Sequence, residues 1–323
     1  MSSVNFQHSP RVSVIMLNWN TPEMTIQAIN AVLGSDYPNF DVHLTDNGSR
    51  DNSYELINKE FGDRIHVHRI ERNRGYVGGM NFCLQEGLKS NPHYFLIMNN
   101  DTILDAKAMS IFVSTAQKYH DNCVVTGKVY FYDDPVTLQT VGNEFDRRSM
   151  KEKRMGYGEK DEGQYDSETE REMIDDIFML LPAEIYKEVG GYNTYFFLNY
   201  EQTDLILRIR DKGYKVVYTP LAKLWHKGSF STGGLGNPYM MYWEGKSNLI
   251  IHYLYQDGLD FLLFYFGFLR KTLWRLVKGI IKAVIGKKSN IKARVALLRG
   301  FIAGSFWMLN KKVETGFNPY SKD

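Results

Sequence analysis

The tetrad Asn99-Asn100-Asp101-Thr102 follows the apolar run Tyr94-Phe95-Leu96-Ile97-Met98, so Asp101 emerges where a buried strand ends. A hard divalent cation takes oxygen ligands, keeps several waters and commonly uses only one or two protein carboxylates beside a ligand's phosphates. One aspartate at a strand end suits that economy; the plainer alternative is a cap for the helix that follows. A second carboxylate, Asp46, opens DNGSRDNS after the run Phe40 to Thr45. There a strand-end carboxylate can accept the imide N–H of a pyrimidine base. Trp19, in the cluster Asn18-Trp19-Asn20, offers a ring face for such a base to stack on. Turn and cap chemistry for Asp46, and a core position for Trp19, are the plain alternatives. The stretch Asn73-Arg74-Gly75-Tyr76-Val77-Gly78-Gly79 lacks the spacing of a dinucleotide or P-loop signature. It reads as a loop that approaches a ligand closely and then starts a helix, near a phosphate.

The elements that must hold these clusters alternate. Val12–Leu17, Phe40–Thr45, Ile65–Arg69 and Tyr94–Met98 read as buried strands. Between and after them, Pro22–Leu33, Tyr54–Phe61, Val77–Leu88 and Ala106–Tyr119 read as helices. Such alternation argues for right-handed βαβ units and a parallel sheet, whose ligands bind beyond the carboxyl ends of the strands. All three polar clusters fall at such ends. Residues Lys151 to Glu172, charged and Gly-containing, read as a solvated, mobile loop.

The bulk composition agrees with a folded core: hydrophobic residues are 43% and charged residues 24% of 323. Cys83 and Cys123 lie in apolar stretches without metal-type spacing and read as buried thiols. Met1 to Pro10 has no apolar segment of signal-peptide length. The net charge of +2 hides a division. From Phe261 to Val313 there is no Asp or Glu but twelve Lys or Arg, which leaves 27 basic residues against 37 acidic ones elsewhere. In that tail Lys271, Arg275, Lys278 and Lys282 share one helical face, opposite Leu273, Leu276, Val277, Ile280, Ile281 and Val284. Phe261 to Leu269 is too short to span a bilayer. A basic amphipathic helix with Trp274 suits an anionic membrane interface, with packing on the acidic body as the alternative. Nucleic-acid binding is not expected, because the cations interleave with a wide aliphatic face.

Taken in order, VSVIMLNWN, DNGSRDNS, ERNRGYVGGMN, FLIMNNDT, EVGGYNTYFFLNYEQTDLILRIRDKGY and LWHKGSFST cover about residues 11 to 232. Together they resemble family 2 inverting glycosyltransferases of the GT-A fold, particularly rhamnosyltransferase-like enzymes of bacterial cell-surface polysaccharide synthesis. The resemblance implies an α/β, Rossmann-like mixed sheet flanked by helices over residues 1–258, followed by the basic amphipathic tail, 259–323. It implies that Trp19, Asn20 and Asp46 surround base and ribose and that Asn73 to Gly75 border the nucleotide. Asn99 and Asp101 occupy the first and last positions of the family's Asp-x-Asp motif. Asp101 would hold Mg²⁺ or Mn²⁺ against the donor's two phosphates, and Asn99 would contact the ribose. His226, after the strand-like Lys215–Tyr218 and a turn at Pro220, matches a histidine that often completes the metal or diphosphate site.

The same resemblance exposes two departures. The base that takes the acceptor's proton is usually the second carboxylate of an adjacent pair, and here Gln202 stands in that position. An amide cannot accept a proton near neutral pH. Glu201, adjacent, and Asp204, two further on, are the candidate bases, with a helix cap as the plain role for Asp204. The second departure is Asp175-Asp176, where the family more often has a small residue and Gly. These carboxylates could bind acceptor hydroxyls, replace the missing base, or merely end the acidic loop. The expected activity is transfer from a UDP- or dTDP-sugar, a nucleotide-sugar donor, to a glycan or lipid-linked acceptor, at the inner face of the plasma membrane. The alternative is a nucleotide-sugar-binding scaffold subunit left inactive by Gln202.

Overall fold

Apolar runs such as Val12–Asn18, Tyr94–Met98 and Phe178–Pro182 form the central strands, and amphipathic runs form helices that cover them. A computed structural model of the chain describes residues 9–228 and 237–310. The remaining residues, including Ser229–Thr232 of the last motif, Lys311 and Lys312, lie outside the described residues. The chain divides into two compact units. The larger takes the chain up to Glu144, Glu152–Tyr192 and Gln202–Gly228, the smaller Phe145–Lys151, Asn193–Glu201 and the chain after Gly228.

The larger unit opens with β1 (Val12–Asn18), α1 (Pro22–Leu33), β2 (Phe40–Asn47), α2 (Ser53–Phe61), β3 (His66–Ile70) and α3 (Gly75–Leu88). It continues through β4 (Tyr94–Met98), β5 (Thr102–Leu104), α4 (Ala108–Lys118), β6 (Cys123–Phe131) and β7 (Leu138–Thr140). A two-stranded ribbon, β8 (Asn143–Asp146) and β9 (Lys151–Arg154), follows. Then come β10 (Thr169–Glu170), β11 (Phe178–Pro182), α5 (Ala183–Val189), α6 (Glu201–Asp211) and β12 (Lys215–His226). One sheet runs in the order β10-β12-β6-β11-β4-β1-β2-β3, with β5 on β12 and β7 on β6. From β4 to β3 the neighbours are parallel, as the alternation implies. β11 enters antiparallel between β4 and β6, so the whole is mixed. Val14, Leu44, Leu96, Phe112, Phe178 and Leu224 belong to one buried core.

Two sequence expectations are corrected in this unit. β12 does not turn at Pro220; it runs on to His226, with a register irregularity between Tyr218 and Lys223. A bulge takes proline, which has no N–H to give, out of the ladder without ending the strand. The stretch 151–172 is exposed along much of its length but anchored. Lys128, almost wholly buried on β6, reaches Asp161 at 2.7 Å and Asp166 at 2.6 Å, and Met155 and Tyr165 pack beside Tyr130 and Tyr218. Composition marks the loop's charge but not the buried lysine that captures it.

The smaller unit contains α7 (Pro238–Tyr255), α8 (Gly258–Val284) and α9 (Ile291–Asn310). α7 and α9 approach backbone to backbone: a Cβ on Gly300 would stand 2.0 Å from the Tyr242 carbonyl oxygen. Phe197 stacks on Trp243 at 4.4 Å between ring centres. The division expected at 258/259 therefore falls inside this unit, between α7 and α8. The charge shift near Asp260 follows surface composition, whereas α7 is held by apolar packing with Ala296 of α9. Along the 27 residues of α8 only Thr272 and Gly279 are buried. Leu262, Phe266, Leu273, Trp274, Val277, Ile280, Ile281 and Val284 are exposed. No helix among the described residues is long and apolar enough to cross a membrane.

Candidate active site

The carboxyl ends of β1, β2 and β4 are knitted by amides and hydroxyls. Asn18, the last residue of β1, donates its amide to Asp46 Oδ2 at 2.8 Å. Asp46 Oδ1 accepts the Ser49 N–H at 3.0 Å. On the other side of Asn18, its Oδ1 accepts from Thr25 Oγ1 at 2.8 Å, and Thr25 in turn accepts from the Asn100 amide at 2.7 Å. One hydrogen-bonded chain thus joins the Asp46 turn to the Asn99–Asp101 corner. Asp46 has 0% exposure and anchors the turn from within. A carboxylate whose oxygens satisfy an amide and a backbone N–H holds the loop in shape.

What the turn exposes is Asn20 and its surroundings. Asn20, at φ 55°, donates its N–H to Ser49 Oγ at 2.9 Å and accepts the Arg50 N–H at 2.9 Å. Trp19 beside it is half-buried, not part of the core. Gly48, at φ 70°, lies so close to Arg72 and Asn73 that a Cβ would meet their backbone at 2.5–2.6 Å. Asn47 completes the junction by donating to the Gly75 carbonyl at 3.0 Å and accepting the Arg74 N–H at 3.1 Å. Asn73 closes its own turn by accepting the Gly75 N–H at 2.7 Å. The expected nucleotide-bordering residues therefore converge, and Asn18 and Asn47, which sequence reasoning left unassigned, are the residues that tie them together.

Asp101 and His226, 125 positions apart, meet because Thr102 on β5 pairs antiparallel with His226 at the end of β12. Asp101 precedes a strand here, so it does not cap α4. His226 Nε2 stands 3.2 Å from Asp101 Oδ1. Its Nδ1 lies 2.7 Å from Gln139 Oε1, an acceptor, which assigns the ring hydrogen to Nδ1. Nε2 then faces a carboxylate with either a lone pair or a second proton. Two ligand atoms about 2.1 Å from one octahedral cation stand about 3.0 Å apart, so the pair fits a divalent ion. Gln139 on β7 carried no sequence signal for this role.

The candidate bases separate. Asp204, with 1% of its side chain exposed, accepts from Arg208 Nε at 2.8 Å, one helical turn on. Arg208 also donates to the Val189 and Gly191 carbonyls. That engagement makes Asp204 a brace for the α5–α6 connection rather than a base, and the i,i+4 spacing from Asp204 to Arg208 was the available signal. Glu201 is buried at the start of α6, after Asn199 and Tyr200, both in the left-handed region at φ 70° and 66°. Gln202 turns its amide to Asp175 Oδ1, donating at 2.9 Å; Arg154 Nη2 lies 3.5 Å from the same oxygen. Asp176 Oδ2 accepts from the hydroxyls of Tyr76 at 2.8 Å and Tyr192 at 2.7 Å. Burial pushes Asp176 up to about 6 against the pull of the two tyrosines. The acidic pair is therefore built into the fold and is not a solvated loop end.

At the other end of β2, Asp41, His43 and His66 bring potential ligand atoms within 4.8 Å of one another. Their atoms are already committed. Asp41 takes Arg11 at 2.7 Å and Ser13 at 2.6 Å, while the two ring nitrogens of His43 face His68 and Ser90. The cluster is hydrogen-bonded packing at the sheet edge.

Comparisons with known proteins bear on the family and the fold. A family model described as glycosyl transferase family 2 matches residues 13–178, just over half of the chain. The glycosyltransferase GlyG of Streptococcus pneumoniae is 26% identical over 128 residues, 39% of this chain and 41% of its own. Poly-beta-1,6-N-acetyl-D-glucosamine synthase of Staphylococcus aureus is 22% identical over 254 residues, 77% of this chain and 57% of its own. The chain thus spans less than two thirds of the length of either relative. Among solved structures, GalNAc-T7 with UDP, GalNAc and Mn²⁺ is similar with a TM-score of 0.55 and 13% identity, over 75% of this chain and 51% of that one. The mannosyltransferase PcManGT from Pyrobaculum calidifontis, in complex with GDP-Man and Mn²⁺, gives 0.53 and 12% over 95% and 77%. By motif order, sheet and family match, the chain belongs to glycosyl transferase family 2 and has the GT-A fold.

Proposed function

We propose that this glycosyltransferase moves a hexose or deoxyhexose from a UDP- or dTDP-sugar to a growing glycan or lipid-linked acceptor, with inversion, in cell-surface polysaccharide synthesis. The observation that carries the reading is the 3.2 Å pair of Asp101 Oδ1 and His226 Nε2, with Nδ1 already committed to Gln139. These residues would hold Mg²⁺ or Mn²⁺, which supplies charge neutralisation at the departing diphosphate. The Asn47-pinned turn Asn73–Gly75 and the exposed Asn20 and Trp19 border the nucleotide, with Asn99 on the ribose. One relative in sequence is named a glycosyltransferase and another a poly-beta-1,6-N-acetyl-D-glucosamine synthase, and both neighbours in structure were solved with a nucleotide or nucleotide sugar and Mn²⁺, which supports a nucleotide-sugar donor.

Thermal unfolding with UDP, dTDP and GDP, each with and without Mn²⁺, tests this reading. UDP or dTDP with Mn²⁺ raises the Tm by mass action, and Asp101→Ala and His226→Ala lose the increment. A wild-type chain indifferent to every pair, or an Asp101→Ala variant that responds like wild type, sinks it. Binding without turnover of any donor supports the scaffold alternative instead.

The reading includes an anionic membrane surface. α8 exposes Trp274, at 56%, and a file of aliphatic residues, with Lys271, Arg275, Lys278 and Lys282 along the other side. An apolar face this long is costly to leave in water, and a file of cations beside it favours anionic headgroups.

A further inference from the structure

The transfer proposed above needs a proton acceptor. As the acceptor oxygen bonds to the anomeric carbon, the bond from that carbon to the phosphate oxygen breaks and its electron pair leaves with the diphosphate. The electron pair of the acceptor's O–H bond stays on the acceptor oxygen, and its proton goes to a base. A carboxylate already committed to fixed partners is poorly placed to take it. Asp46 is closed on Asn18 and Ser49, Asp101 faces His226, Asp204 is held by Arg208, and Asp176 carries two tyrosine hydroxyls on one oxygen.

Asp175 differs. Its Oδ1 takes the Gln202 amide at 2.9 Å with Arg154 at 3.5 Å, while its Oδ2, also buried, accepts no hydrogen bond from any described residue. Leaving a buried carboxylate oxygen without a donor is costly, and such an atom is a candidate to receive one from a ligand. The backbone puts it near the metal corner: the Asn99 N–H donates to the carbonyl of Ile177, two residues beyond Asp175, at 3.3 Å. Within the same unit, Gln202 and Asp175 are therefore partners in one hydrogen bond, and both depart from the pattern that this chain otherwise resembles.

We infer that Asp175 is the catalytic base, accepting the acceptor hydroxyl's proton on Oδ2, and that Gln202 is the positioning residue that holds Oδ1. The inference rests on the transferase reading. Only 4% of the Asp175 side chain is exposed, and Arg154, at 42%, is the neighbour an incoming hydroxyl displaces. The carboxylate has in effect moved across a 2.9 Å hydrogen bond, from position 202 to position 175.

The test uses the full chain with Mn²⁺ and a panel of UDP-glucose, UDP-N-acetylglucosamine, UDP-galactose and dTDP-rhamnose, read as nucleoside diphosphate release. UDP–Mn²⁺ affinity is measured on each variant by calorimetry. Asp175→Asn lowers kcat by about 10²- to 10⁴-fold with UDP–Mn²⁺ affinity within about twofold of wild type. Gln202→Ala lowers kcat and leaves the donor KM unchanged. The double variant Asp175→Asn/Gln202→Glu regains about tenfold or more over Asp175→Asn, because a carboxylate returns across the same contact; this arm holds even if the single variant is less stable. Asp175→Asn with near wild-type kcat, or the whole loss reproduced by Glu201→Gln while Asp175→Asn stays active, overturns the inference. No turnover by a wild-type chain that binds UDP–Mn²⁺ also overturns it, and leaves the nucleotide-binding reading standing. Absence of UDP–Mn²⁺ binding by the wild type overturns the transferase reading itself.

Discussion

Asp176→Asn should uncouple the fold's stability from pH in a defined window. Asp176 is buried, and both of its tyrosine partners sit on Oδ2, which an asparagine oxygen can replace with little change in shape. Desolvation is the largest influence on its carboxyl, which is pushed from 3.8 to about 6; the Tyr192 and Tyr76 hydroxyls oppose this, and neighbouring Asp175 adds to it. The folded chain therefore binds this proton more tightly than the unfolded chain. The associated stability is fully present below the unfolded value of 3.8 and is lost as pH rises through about 6. A rise from 3.8 to about 6, at roughly 1.4 kcal/mol for each tenfold in proton affinity, is about 3 kcal/mol. Urea unfolding of wild type and variant at half-unit steps from pH 4 to pH 8 reads it directly. The difference in unfolding free energy, variant minus wild type, should rise by about 3 kcal/mol between pH 4 and pH 7 and then level off. A difference that stays flat across that range would show that burial does not raise this carboxyl, and the account of the Asp176–tyrosine cluster would fail.

Other outcomes follow from the same geometry. Gln139→Ala, which removes the group that fixes the His226 tautomer, should weaken Mn²⁺ binding about 10- to 100-fold by calorimetry while leaving the fold intact by circular dichroism. Gly300→Ala drives a Cβ into the Tyr242 carbonyl and should cost about 1–3 kcal/mol, seen as a lowered Tm. The full chain should co-sediment with phosphatidylglycerol vesicles and not with phosphatidylcholine vesicles. Val277→Asp with Ile281→Asp should abolish that binding, and raised salt should weaken it.

How much of this was legible before the structure depends on the range of the interactions. The strands and helices from Val12 to Met98 follow from local periodicity, so the sheet edge that gathers Asn20, Asn73 and Asp101 is readable from the residues alone. His226 is different. No spacing places it beside Asp101; that follows from β5 pairing antiparallel with β12, a contact between distant segments, and only the motif resemblance anticipated it. Gln139, Arg154 and Lys128 act through side chains that reach across the sheet or into the loop, and a single sequence carries no periodic trace of such contacts. The Asp204–Arg208 pair had a local signal, since an acidic residue four before an arginine on a helix is an ordinary ion pair.

The carboxylates of the larger unit show how one residue type acquires different tasks from its donors. Asp46, satisfied by an amide and a backbone N–H, shapes a turn. Asp204, facing a guanidinium with two further bonds to carbonyls, braces a connection. In Asp176 burial outweighs the pull of two hydroxyl donors, so its proton is retained to a higher pH than usual. Asp101 faces an imidazole nitrogen whose ring hydrogen lies on the other side, an arrangement that a cation or a proton completes. Asp175 shares one oxygen with an amide and leaves the other without a protein donor. A charged donor stabilises the ionised form and reduces its readiness to take a proton, whereas an amide fixes orientation at a smaller electrostatic cost. On that ground the amide at position 202 is not simply the loss of a base: beside Asp175 it is the partner that orients a carboxylate.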